Sequence, residues 1–166
     1  MRYDQEVFNV PNVNRRMLSL VVMPSDVFLI GSAHKFQTKA CCYSWEIADF
    51  CELIRRSVAA HGIRLIAEEM SIEGLQIDGA RESTCKEVAD SCGVKHVYCD
   101  PDRKERELLG ILNDEDRERE WLTRLRKRNI RPALLICGAQ HVDSFAKLMR
   151  QHGVLVTVLF GEWPNR

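Results

Sequence analysis

The sequence predicts a single three-layer α/β domain: a mostly parallel sheet of about five strands with helices on both faces. Three observations carry that expectation. Short, mostly apolar runs recur at 27–30, 63–67, 94–99, 133–137 and 154–160, interrupted by Arg64 in the second and by Lys95 and His96 in the third. Runs of this kind suit strands buried on both faces, because a sheet with one wet face alternates apolar and polar residues. Amphipathic stretches with helical spacing separate them, which is the rhythm of crossover connections in a parallel sheet. Finally, 166 residues are enough for one domain with a sizeable core and too few for two.

Residues 1–25 stand apart from that rhythm. They mix charge with Pro11 and the Arg15-Arg16 pair, then run apolar from 17 to 23 before Pro24. They read as an extension ahead of a domain spanning 26–166, serving as an edge strand or as an oligomer contact.

The first strand, 27–30, leads through a polar loop to Lys39. A helix over about 44–60 comes next, placing Ile47, Phe50, Cys51, Ile54 and Val58 on one face. His61-Gly62 closes it, glycine being the residue that ends helices at least cost. The second strand, 63–67, runs into Glu68-Glu69. After a loop rich in Gly and Asp, a helix begins near Ser83-Thr84, where Thr84-x-x-Glu87 has the form of a capping box, and it stops at Gly93.

Asp100-Pro101-Asp102 breaks the third strand, with Asp102 in position to cap the next helix. The charged span 103–128 reads as one or two exposed helices divided around Asn113-Asp114. After the fourth strand, a helix over 141–152 sets Val142, Phe145, Ala146 and Met149 in one stripe and ends at Gly153 before the fifth strand.

Composition excludes more than it identifies. Lys plus Arg equal Asp plus Glu, so no global field recruits nucleic acid or an anionic membrane. The longest apolar run falls far short of a membrane span. The seven cysteines form no Cys-x-x-Cys pair, and most sit at apolar positions. They are expected to be small buried hydrophobes in a protein of the reducing cytoplasm, since no secretory leader is visible.

The chemistry concentrates where the strands end. Two apolar strands close on the same pattern, Gly31-Ser32-Ala33-His34 and Gly138-Ala139-Gln140-His141. In a parallel sheet the strand carboxyl ends share one edge, and ligands bind in the crevice outside it. Glycine lets the backbone turn sharply there, and imidazole titrates near neutral pH, suiting it to act on water or to ligate a metal. Glu68 and Glu69 leave the second strand toward the same edge. Adjacent residues leaving a strand point opposite ways, so one of the two faces the histidines. His34, His141, Glu68 and Glu69 are thus the candidate catalytic set. His34 and His141 with Glu68 are also a candidate ligand set for a divalent metal, of zinc or another transition-metal type, with water completing the coordination. Arg103 and Arg119, Gln140, Gly31 and Gly138 are the candidates for holding substrate. The remaining histidines have ordinary explanations: His61 and His152 at helix ends, and His96 inside a strand.

These motifs resemble the superfamily of TraB, Tiki, ChaN and erythromycin-esterase proteins, of which this would be a small member. The resemblance rests on the two Gly-x-x-His motifs, on Glu68-Glu69, and on an arginine flanked by acids at Glu118-Arg119-Glu120, and it spans about residues 26–150. It implies an α/β domain with its site between the two histidines. It also implies a hydrolytic activity where there is one: peptide cleavage with a metal in one branch, lactone opening by a histidine base in another. The expected function is hydrolysis by an activated water, with or without metal, on a small-molecule or peptide substrate. The alternative from a different class is a non-catalytic module binding a small anionic ligand or nucleotide at the same edge. A third is a structural protein assembling through residues 1–25.

Overall fold

The structure is a computed structural model that describes residues 25–164; the extension expected over 1–25 lies, all but its last residue, outside them. Five parallel strands form one sheet: β1 (Val27–Ser32), β2 (Leu65–Glu68), β3 (Lys95–Tyr98), β4 (Ala133–Gly138) and β5 (Val156–Trp163), in the order β3-β2-β4-β1-β5. Seven α-helices connect them: α1 (His34–Thr38), α2 (Ser44–His61), α3 (Ile72–Ile77), α4 (Thr84–Cys92), α5 (Arg103–Leu109), α6 (Asp114–Arg128) and α7 (Val142–Gln151). The expected α/β architecture with both faces covered is what the chain adopts. Among the described residues, no helix is long and apolar enough to cross a membrane.

Side chains of the central strands alternate between two cores. Val27, Leu29, Leu65, Ala67, Leu135 and Cys137 pack under α6 and α7 with Trp121, Leu125 and Phe145. Phe28, Ile30, Ile66, Leu134 and Ile136 pack under α2 and α4 with Phe50, Ile54 and Val88. Every residue of β1, β2 and β4 is buried, which is why their sequences run apolar without alternation.

Local signals explain the boundaries. Gly62, Gly93 and Gly110 close α2, α4 and α5 in the left-handed conformation. Asp102 caps α5 in a reciprocal pair with Glu105, and Asn113 caps α6 and splits the charged span into two helices. Three expectations need correction. The cap of α4 is Ser83, whose hydroxyl accepts the Lys86 amide, while the Thr84 hydroxyl donates to the Phe36 carbonyl. The polar loop before Lys39 and the Gly/Asp-rich loop each contain a short helix, α1 and α3. The last strand begins and ends later than expected, at Val156 and Trp163.

The connections place the crevice. Those after β1 and β2 run to the α2/α4 face, whereas α7 after β4 runs to the other. Since β4 lies between β2 and β1, chain leaves to opposite sides at its carboxyl end, and a cleft is left there.

Candidate functional site

Glu69 is the centre of the cleft. It comes directly after β2 and is almost wholly buried, and both its oxygens are engaged. Oε2 accepts the Gly138 amide at 2.7 Å and lies 3.6 Å from His34 Nε2. Oε1 accepts from Arg117 at 2.7 Å and lies 3.4 Å from His141 Nε2. The two histidines of the repeated motif therefore meet at one carboxylate, on opposite oxygens.

Burial alone would raise the Glu69 pKa. The His34 contact, the Gly138 N–H and the nearby His141 outweigh it, and the group is held below its ordinary value. The same contact raises His34 above the ordinary histidine value, against partial burial and the Arg117 charge. His34 is the exposed member of the set, with a side chain 49% accessible. His141 is buried, and its Nδ1 lies 2.9 Å from Glu118 Oε1, which also accepts the Ser144 hydroxyl at 2.6 Å. A carboxylate on one ring nitrogen fixes the orientation of the other.

Behind Glu69 lies a second layer of charge. Arg117 joins Glu69 to Asp100 Oδ1 at 3.1 Å and to Asp114 at 2.8 Å. Its burial opposes the positive charge, but the carboxylates around it more than compensate and raise its pKa further. Asp100 also accepts the Trp121 indole N–H at 3.0 Å and pairs with Arg106.

The candidates separate clearly in space. His34, Glu69, His141 and the Gly138 amide come together. Glu68 does not join them: as the neighbouring residue it points to the opposite face, where its Oε1 meets His96 Nε2 at 2.7 Å and the Ser83 hydroxyl. Arg119 is on the outer face of α6, paired with Glu115 and Asp116. Arg103 lines the cleft but is highly exposed and paired with Glu107. Gln140 is exposed on the His141 side. Gly31 serves packing, because a Cβ there would sit 2.0 Å from the Gly161 carbonyl oxygen.

Three members of the site were not expected from sequence: Arg117 and Asp100 in the cluster, and Glu118 as the partner of His141. Helical spacing held the signal for two of them. Trp121, Leu122 and Leu125 are the apolar face of α6, and one turn back from Trp121 and Leu122 stand Arg117 and Glu118, not Arg119.

A cavity of about 710 Å³ opens on the His34 side of Glu69, lined also by Met70, Ile77, Asp100, Arg106, Leu112 and Arg117. That volume falls within the usual range for small-molecule sites. Its wall carries three arginines, Arg103, Arg106 and Arg117, against five carboxylates, Glu69, Glu73, Asp78, Asp100 and Glu107. A smaller cavity lies on the far side, against His141, Glu118 and Ser144.

The donors suit a divalent metal poorly as they are arranged. Glu68 faces away, Glu69 Oε1 is bound to a guanidinium and Oε2 to an amide. The Arg117 cation thus stands against the carboxylate that a metal ion would need. Among the described residues, no group of three His, Cys, Asp or Glu is placed to hold a metal.

Compared with protein-family models, characterised proteins and solved structures, the chain matches none.

Proposed function

We propose that this chain is a hydrolase that cleaves an uncharged carboxylic ester, lactone or amide with a histidine-activated water and without metal. The observation that carries the reading is His34: it is half exposed on the wall of the cavity and turns Nε2 toward a buried, ionised Glu69 at 3.6 Å. With its Nε2–H directed at Glu69, the imidazole keeps a lone pair on Nδ1 for water. Distances of this kind shorten when substrate binds.

In this mechanism His34 Nδ1 takes a proton as the water oxygen bonds to the carbonyl carbon. Glu69 steadies the imidazolium that forms. Arg106, tethered to Asp100 and the Pro101 carbonyl, keeps further N–H donors for the carbonyl oxygen as it gains negative charge. The bond to the leaving oxygen or nitrogen then breaks, and the proton on His34 passes to it. His141, fixed by Glu118, braces the far side of Glu69 and does not touch substrate. In this role the chain would be a compact relative of the TraB, Tiki, ChaN and erythromycin-esterase group. The convergence of both Gly-x-x-His motifs on one glutamate supports that relation.

The excess of carboxylates on the cavity wall argues against the alternative of a module for nucleotides or other anions. Proton release from a panel of neutral esters and lactones, and amine release from uncharged peptides, test the proposal. His34→Ala and Glu69→Gln should each lower kcat/KM by at least ~100-fold, the usual scale of general-base catalysis. Turnover surviving His34→Ala would end it.

A further inference from the structure

The charged floor of the cavity continues into an apolar rim. Ile77 from α3 and Leu112 from the α5–α6 connection are 79% and 89% exposed, and both line the cavity together with Met70 and Ile111. Of the eight large hydrophobic residues exposed among the described residues, Ile77 and Leu112 line this one cavity. Scattered apolar residues need no explanation, but a contiguous set beside a cleft does.

We infer that the substrate carries an aliphatic acyl chain, which lies on the Ile77–Leu112 rim while its carbonyl reaches His34 and Arg106. The inference rests on the hydrolase reading and names its substrate class. A chain of the substrate is chosen as occupant because the rim and the His34 floor belong to one cavity, and because the acid-rich wall favours an uncharged ligand. Each methylene fully removed from water adds about fourfold to binding, the equivalent of ~0.8 kcal/mol. On an open rim about twofold is expected.

The test uses 4-nitrophenyl esters from acetate to octanoate with the full chain, beside calorimetric titration of the corresponding N-methylamides of the acids, whose binding needs no turnover. kcat/KM should rise at least tenfold across the series, and affinity should rise in parallel. Ile77→Asn and Leu112→Asn should flatten both slopes, whereas Leu155→Asn, at an exposed site before β5, should leave them steep. Turnover with no dependence on chain length overturns this inference and spares the hydrolase. Chain-dependent binding without turnover of any ester does the reverse, and flat binding without turnover overturns both. Sedimentation of the Ile77→Asn and Leu112→Asn variants supplies one more outcome. If the parent is a dimer and the variants are monomers, the rim belongs to a second copy of the chain and not to substrate.

Discussion

At the scale of single residues, Glu69 decides how the cleft behaves with pH. His34 is raised from the ordinary 6.5 chiefly by its contact with Glu69, and Glu69 is lowered from 4.5 despite burial. A histidine raised on folding adds stability that is complete below about 6.5 and is lost as pH climbs through the raised value; a lowered carboxylate adds stability that is complete above about 4.5 and is lost as pH falls through the lowered one. The pair is therefore tightest between those two limits. Catalysis needs His34 neutral, so the acid limb of the kcat/KM profile should have its midpoint above 6.5. NMR titration of His34 should give the same midpoint, and Glu69→Gln should move it down. An unmoved midpoint would mean that Glu69 does not govern His34. The arginines of α6 provide a second contrast. Arg117→Ala leaves Glu69 and Asp100 buried without their shared cation and should cost about 3–5 kcal/mol in urea unfolding. Arg119→Ala, on the exposed face, should stay within about 0.5 kcal/mol. Sequence alone marked His34, His141 and the Glu68-Glu69 pair, because chemistry at strand ends is a matter of residue type and position. It could not choose between the two glutamates, since their choice depends on the face that each strand turns to each core. Arg119 fits the motif but lies on the outer face of α6, whereas helical spacing points to Arg117.

Elements differ in legibility according to their lengths. The central strands β1, β2 and β4 and the long helices α2, α6 and α7 were legible because each fills an apolar run or repeats its pattern over several turns. The short helices α1 and α3 were not, since five or six residues cannot display a period. Their structure comes from tertiary contact and local capping: Phe36 of α1 packs on Phe50 and Trp163, and Ser71 caps α3 through the Gly74 amide. The two glycine motifs, alike in sequence, serve their elements differently. Gly31 lies within β1, where a Cβ would meet the Gly161 carbonyl at 2.0 Å and Val142 at 2.6 Å. Gly31→Ala must push β5 and α7 from β1 and should cost about 2–3 kcal/mol. At Gly138 the three atoms nearest to an added Cβ all belong to the side chain of exposed Gln140, and its φ of −57° suits any residue. Gly138→Ala should cost less than about 1 kcal/mol and leave the amide contact to Glu69 in place. Chemical denaturation of both variants separates these roles, and equal losses would contradict the packing argument.

For the whole molecule, the sheet order explains why a site exists at this edge. With β4 between β2 and β1, and with connections leaving to opposite faces, the carboxyl end of β4 has to open into a cleft. The chain fills the floor of that cleft with a closed network of Glu69, Arg117 and Asp100 in place of a ligand-ready carboxylate. Strand order was not legible in the sequence, because a run of alternating strands and helices is compatible with several orders. The joining of Asp100, at the end of an outer strand, to Glu69 near the centre depends on that order. The network as a unit bears on metal. A cation is already supplied by Arg117, so incubation with excess chelator should leave ester turnover and the thermal midpoint unchanged, and metal analysis of the purified protein should find less than one equivalent. The reverse result, loss of turnover restored by zinc, would require Arg117 to swing away from Glu69 on metal binding. In that case Arg117→Ala should tighten zinc binding, because it removes the competing charge. Zinc affinity unchanged by Arg117→Ala would show that the metal sits elsewhere than on Glu69.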